Sequence, residues 1–222
     1  MANEFRAWFR AMMSIVCTRF VIGVVFCAGM AFGANAADDA QHFDFGVTRP
    51  TKSHNLVTPD TMYTDESGFG IELGSTVRAE MRHSLLVHTG FLASDHPFYF
   101  SVAVHEGDYR VTVKLGDARG ASQTTVKAES RRLMLENVVT RRGEFAIRSF
   151  IANAHNSHLA PSQLNALGGT EIRTKNRKRG SYTLDDKMTL ESSGSAPKVV
   201  SVEIEPVQVP RVFLFSDSTV VA

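Results

Sequence analysis

Cysteine is nearly absent from this chain: Cys17 and Cys27 are the only two, and both fall within the first 36 residues. The sequence beyond that point has no thiol, so a disulfide framework is excluded there. Tryptophan is as scarce, since the single residue is Trp8. Any aromatic stacking in the remainder therefore falls to Tyr and Phe. A bias of charge is also missing: 24 Lys and Arg stand against 23 Asp and Glu. That balance gives no strong pull toward nucleic acid or an anionic membrane. The longest apolar run, residues 21–33 (VIGVVFCAGMAFG), is short for a bilayer crossing.

What precedes and follows that run gives it a meaning. Arg6, Arg10 and Arg19 lie upstream, and Ala34-Asn35-Ala36 supplies small residues downstream. This is the pattern of a secretory signal peptide cut after Ala36, and it predicts a secreted or periplasmic protein. The competing reading is an uncleaved N-terminal anchor. A lipid-modified Cys27 is disfavoured by the bulky Phe26 before it. Three arginines and one glutamate leave with the segment, so 24 basic against 23 acidic residues become 21 against 22. One basic run remains, RTKNRKRG at 173–180, and reads as a solvated loop.

From residue 41 onward the apolar pattern has a period of two. PFYFSVAV (97–104) sets Phe98, Phe100, Val102 and Val104 on one face, and YRVTVKLG (109–116) does the same with Tyr109, Val111, Val113 and Leu115. The turn-forming residues His105-Glu106-Gly107-Asp108 between them predict a β-hairpin. Residues 122–138 alternate through Thr124, Val126 and Ala128, and resume at Leu133 and Leu135 after a bulge or bend at Ser130-Arg131. EFAIRSFIAN (144–153) alternates at Phe145 and Ile147 and then shifts phase to Phe150, while KVVSVEIEP (198–206) alternates at Val200, Val202 and Ile204. Helical periodicity is confined to a turn or two in 160–169. The pattern predicts an all-β antiparallel sandwich of about eight or nine strands over residues 37–206, with IEPVQVP (204–210) as its boundary.

The segments FDFG (43–46), VTPDTMYTDESGFGIE (57–72), PFYFSVAVHEGDYRVTVKLGD (97–117), TTVKAESRRLMLE (124–136), LDDKMTLE (184–191) and VFLFSDSTVV (212–221) occur in that order. Together they resemble the secreted SGNH (GDSL-type) esterases similar to rhamnogalacturonan acetylesterase, at the galactose-binding-like domain that precedes the hydrolase. The resemblance implies a galactose-binding-like jelly-roll sandwich over 37–206. It also implies that 207–222 is a connector and the first strand and nucleophile turn of an α/β SGNH hydrolase domain that is otherwise truncated. In that family the turn reads Gly-Asp-Ser-Thr. Ser218 then takes the nucleophile position, Asp217 the preceding aspartate, and Ser216 stands where the family has glycine. A serine hydroxyl needs a base and fixed oxyanion donors. The family's later Asp-x-x-His and oxyanion-hole blocks are not in this sequence, so the chain is expected to be inactive alone. The implied partners are that missing hydrolase domain and a pectic polysaccharide.

Other residues carry their own candidate chemistry. His155 and His158 are three apart, and His83 and His88 flank a short apolar run; as a zinc or copper site they lack the accompanying Cys or clustered carboxylates, so they read as polar loop residues. Asp185 and Asp186 are adjacent carboxylates beside a strand. Their two readings are oxygen ligands of a structural calcium ion, and a capped turn. No other cofactor is implied. Tyr63, Phe69 and Tyr182 lie near turns and are either sugar-stacking aromatics or core plugs. Three functions follow: the accessory sandwich of a carbohydrate esterase, a free-standing extracytoplasmic carbohydrate-binding module, and, least consistent with the missing blocks, an esterase in which Ser218 recruits a histidine of this chain.

Overall fold

The computed structural model describes residues 40–46, 53–83, 88–158 and 184–212. The expected signal segment, the turn at 160–169, the basic run at 173–180, Tyr182 and Ser216-Asp217-Ser218 lie outside them. Among the described residues there are twelve strands and no helix. They are β1 Gln41–Phe45, β2 Asn55–Val57, β3 Phe69–Ile71, β4 Arg78–His83, β5 His88–Ala93, β6 Phe98–Ala103, β7 Gly107–Gly116, β8 Ser122–Ala128, β9 Arg132–Thr140, β10 Phe145–Ala154, β11 Lys187–Ala196 and β12 Lys198–Val207.

Two sheets share them. One has the order β10-β7-β12-β1-β2, with β5 also on β12 and β4 on β5; the other has the order β3-β6-β11-β8-β9. The pairing is antiparallel except for β1 with β2. This is the all-β, two-sheet jelly-roll architecture expected. The strand count exceeds the expected eight or nine because β2 and β3 have only three residues each, and because the β4–β5 hairpin (RAEMRH and HTGFLA) lacks a clean apolar alternation.

The inward faces of β6 and β7 are as read from the sequence: Phe98, Phe100, Val102, Tyr109, Val111, Val113 and Leu115 are buried in one core. The expected hairpin between these strands is not formed. β6 pairs with β3 and β11, and β7 with β10 and β12, so residues 104–106 carry the chain from one sheet to the other. Two apolar faces that close on one core from opposite sides suit a sandwich better than two faces side by side, and period-two reading cannot separate the cases.

Two further expectations change. In β10 the inward residues are Ala146, Ala152 and Ala154, with Phe150 partly buried, while Ile147 and Ile151 point outward. The apparent phase change came from following the larger side chains; the strand keeps one phase. In β12 the register shifts between Val199 and Ser201, so Val199 joins the main core and Val200 packs with Phe91, Ala93 and Phe145 in a second cluster. Such a bulge moves a side chain to the opposite face.

The far end of β7 is tied down by charge. Asp117, fully buried, accepts the Arg82 Nε (2.9 Å) and Nη2 (3.0 Å), the Lys198 Nζ (2.7 Å) and the Arg119 backbone N–H (2.9 Å). Burial pushes this carboxyl up, but the hydrogen bonds from Arg82 and Lys198 outweigh it and hold it well below the usual carboxylate range. The clamp joins β4, β7 and β12. Close by, Gly46 has φ +109°, and a Cβ there would meet the Phe91 backbone nitrogen at 2.7 Å and the Gly90 Cα at 2.8 Å. Only glycine lets the end of β1 approach β5 this closely.

Asp117→Ala is expected to lower stability by about 2–4 kcal/mol in urea unfolding, because the partly buried Lys198 and Arg82 lose the carboxylate they share and Arg82 keeps only Glu80. With a depressed folded-state value, the stability Asp117 contributes is present above its unfolded value and lost as pH falls. The Asp117→Asn variant should therefore show a flatter acid limb than the parent chain. Gly46→Ala is expected to cost about 2 kcal/mol or more, read as a lower midpoint in the same assay.

Candidate functional site

The end of the sandwich where the chain changes sheets brings several polar side chains together around the 104–106 crossing. Ala103 closes β6, with its N–H on the Gly68 carbonyl (2.6 Å), and Val104 N–H reaches the Asp186 carbonyl (3.2 Å). The Tyr109 hydroxyl donates to the His105 carbonyl (2.9 Å), which fixes the crossing segment. Ala103, Val104, His105 and Asp186 line an open hollow of about 530 Å³. Val104 is buried at its floor, and His105 and Asp186 are exposed at its rim.

Beside this hollow stands a mixed aromatic and charged group. Lys187, the first residue of β11, pairs with Ala103 in register and donates from Nζ to Glu72 Oε1 at 2.5 Å. The same ammonium lies 4.3 Å from the centre of the Tyr63 ring, a cation–π contact on a half-buried site. Burial lowers the Lys187 value, but the Glu72 hydrogen bond and charge outweigh it and raise it above normal. Burial raises the Tyr63 hydroxyl value, with Lys187 opposing and Asp185 among the carboxylates adding to it. Asp185 thus belongs electrostatically to the same group as Tyr63, Glu72 and Lys187.

Behind it lies a carboxyl that nothing in the sequence announced. Glu129 is only 2% exposed. Its N–H donates to the Thr189 carbonyl (3.0 Å), and its Oε1 accepts the Thr189 N–H (3.1 Å). Burial is the main cause that lifts its value to about 7; the Thr189 hydrogen bond opposes the shift and Asp185 adds to it. Glu129, Ser130 and Arg131 all have positive φ (50°, 49° and 90°), although none is glycine. The expected bend at Ser130-Arg131 is therefore a tight hairpin turn in left-handed backbone, held by the Glu129–Thr189 pair. Such conformations cost about 1–3 kcal/mol each unless the surroundings fix them.

The candidates of the sequence sort out as follows. Tyr63, Asp185 and Asp186 come together at this end. Phe69 does not join them: it packs 5.2 Å from Phe43 against the main core, as a plug. His155 Nδ1 lies 3.3 Å from Glu106 Oε1, and the His158 N–H donates to Asn156 Oδ1 at 3.0 Å. His83 and His88 are direct backbone partners in the β4–β5 hairpin, and their side chains lie outside the described set. Among the described residues no group of three or more His, Cys, Asp and Glu converges as metal ligands would. Asp186 faces the hollow, while Asp185 sits by the Lys187 ammonium, a donor set that does not fit a calcium ion. Ser218 and Tyr182 lie outside the described residues. The arrangement that remains is suited to recognition: an aromatic face, an ion pair and exposed polar groups around a concavity.

No protein-family model and no curated protein matches the chain. Among solved structures, protein YXIM of Bacillus subtilis is similar over 76% of this chain and 40% of that one, with 16% identity and a TM-score of 0.49. The plant receptor-like kinase FER is similar over 76% of this chain and 42% of that one, with 11% identity and a TM-score of 0.45. A CBM35 module from Paenibacillus barcinonensis is similar over 65% of this chain and 98% of that one, with 9% identity and a TM-score of 0.34. The chain thus spans about two fifths of the length of the first two. At this level the likenesses concern the chain path and assign no activity.

Glu129 gives the site a pH signature. Its folded-state value, about 7 against an ordinary 4.5, means that the folded chain holds the proton where the unfolded chain has lost it. Stability is then fully present below the unfolded value and is lost as pH rises through the folded one. Its contribution to unfolding free energy should fall by about 3 kcal/mol between pH 4 and pH 8. Glu129→Gln, which keeps an acceptor for the Thr189 N–H, is expected to remove this slope; equal slopes in the two proteins would show that the carboxyl titrates normally.

Proposed function

We propose that this chain is an extracytoplasmic carbohydrate-binding β-sandwich that takes a glycan at the sheet-switch end. The carrying observation is the hollow lined by Ala103, Val104, His105 and Asp186, with Tyr63 and the Lys187–Glu72 pair beside it. A pyranose ring offers C–H bonds to an aromatic face and hydroxyls to charged and carbonyl groups, and this end presents both. Lys187 fixes Tyr63 from one side, so the ring is oriented before a ligand arrives, which lowers the entropic cost of binding. The apparent signal peptide supports an extracytoplasmic location, where polysaccharides are met.

A second reading is favoured by a different observation, the order of motifs ending in Asp217-Ser218. In it the sandwich is the accessory domain of a carbohydrate esterase related to rhamnogalacturonan acetylesterase, its glycan is pectic, and its catalytic blocks are encoded beyond residue 222. The two readings share the glycan and differ over the serine.

Isothermal titration against a panel of xylan, galactan, mannan and pectic oligosaccharides is expected to give heat with at least one. Tyr63→Ala should weaken that affinity roughly tenfold, about 1.4 kcal/mol, while Tyr63→Phe keeps most of it. No heat across the panel would overturn the binding function. For the second reading, hydrolysis of p-nitrophenyl acetate should be absent from this chain and from its Ser218→Ala variant alike. It should appear in a protein extended by the downstream coding sequence, and a downstream sequence without an Asp-x-x-His block would end that reading.

A further inference from the structure

The chain as a whole is nearly neutral, but its charge is unevenly placed. Around Asp117, the cations Arg78, Arg82 and Lys198 are matched by Glu80, Asp95 and Asp117, and each of the six takes part in at least one ion pair. That cluster contributes no net charge. The two turns beside it, residues 117–121 between β7 and β8 and residues 141–144 between β9 and β10, add Arg119, Arg141 and Arg142 against Glu144. All three arginines are exposed. No carboxylate among the described residues pairs with the guanidinium of Arg141 or Arg142.

These arginines stand on backbone that is fastened in place. The Gly143 N–H donates to the Asp117 carbonyl (3.0 Å), Asp117 Oδ1 accepts the Arg119 N–H (2.9 Å), and the Glu144 N–H donates to the Arg141 carbonyl (3.0 Å). The two turns are thereby joined. Glu144 is drawn into its own turn, where Oε2 accepts the Arg141 N–H (3.0 Å), and Gly143, at φ +81°, lets the chain reverse. One buried carboxylate thus neutralises Arg82 and Lys198 and also holds the backbone that carries the exposed arginines. Lys114, two residues before β7 ends, adds a further cation, with its Nζ 5.0 Å from the centre of the Phe145 ring.

We propose that the turns 117–121 and 141–144 form a cationic platform that takes a carboxylate-bearing polysaccharide, a polyuronate, at the end of the sandwich remote from the hollow. The ten residues of β7, about 34 Å of strand, separate the two ends. Guanidinium groups present paired N–H donors that match a carboxylate. A single exposed pair is weak, so the ligand is a chain that repeats its carboxylates and meets several arginines at once. The hollow end does not compete for it: Asp65, Glu72 and Asp185 all bear on Tyr63 there, and Asp186 lines the hollow. Two other polyanions fit less well. Nucleic acid draws its affinity from neutralising about six to ten phosphates, and an anionic bilayer from clusters of about four to eight cations. Here Lys114, Arg119, Arg141 and Arg142, four cations less the one charge of Glu144, leave three. An exported chain, as the N-terminal pattern is read, also meets polysaccharide rather than nucleic acid. This inference stands apart from the glycan reading at the hollow, which involves neither turn.

Affinity electrophoresis of the full chain in polygalacturonate or alginate is expected to show retardation that falls roughly tenfold between about 20 and 200 mM salt. The fully methyl-esterified polymer, which carries no charge, should not retard it. Arg141→Ser with Arg142→Ser is expected to weaken binding roughly tenfold, and Arg141→Glu with Arg142→Glu to abolish it, while Tyr63→Ala leaves it unchanged. Both arginines are exposed, so the unfolding midpoints of these double variants should match that of the parent chain. Equal binding of the charged and esterified polymers, no loss in either double variant, or a loss in Tyr63→Ala would each overturn the proposal. So would an absence of binding to both polyuronates at low salt, whether or not DNA or phosphatidylglycerol vesicles bind instead. Failure of the hollow reading, seen as no heat with neutral glycans, leaves each of these outcomes unaffected.

Discussion

Everything in this sandwich follows from the crossing of residues 104–106 between sheets. β6 and β7 carry apolar stripes of the same period, Phe98 to Val102 and Tyr109 to Leu115, and both stripes are buried in one core. They share it from opposite sides, β6 in one sheet and β7 in the other, so the short link between them leaves one sheet and enters the other. The link has backbone polar groups to satisfy there, and it does so through the Asp186 carbonyl, which accepts from Val104, and the Tyr109 hydroxyl, which donates to the His105 carbonyl. A bend tied down in this way leaves a hollow at the end of the sandwich. The packing requirement of the core thus produces the concavity to which the function is assigned.

The two ends of the molecule use charge in opposite ways. At the Asp117 end a buried carboxylate is surrounded by Arg82, Lys198 and a backbone N–H, and it favours its charged form. At the Glu129 end a buried carboxyl has one backbone donor and a neighbouring carboxylate, and it favours its neutral form. The first arrangement fastens strands together. The second keeps an ionisable group out of water behind a polar surface, next to the Tyr63 and Lys187 group, and burying such a group without a close counter-charge lowers stability. The cost falls where the surface is proposed to meet a ligand.

Much of the architecture was legible in the sequence. The faces of β6, β7 and β8 could be read directly, because large apolar residues alternate there without interruption. Pairing could not be read, because period two names the face of a strand and not its neighbour; hence the expected hairpin at 105–108. In β10 the inward alanines are small and the outward isoleucines large, so size misdirected the reading. In β12 one extra residue at Val200 reversed the phase. At the candidate site, Tyr63, read as lying near a turn, and Asp185-Asp186, read as lying beside a strand, come together at one end, while Phe69 takes the core-plug reading. Glu129 carried no signal at all: within KAESRR it reads as part of a charged bend, and only the left-handed turn folds its side chain inward.

The position of β12 has a consequence for how the protein is made. It is the last strand in the described chain order, yet it lies centrally, with β7 on one side and both β1 and β5 on the other. Until about residue 207 has been synthesised, β1 and β7 have no bridge between them, and partners separated by about 160 residues must find each other. Assembly is therefore slow and late, and the nascent polypeptide stays open along most of its length until its closing stretch arrives.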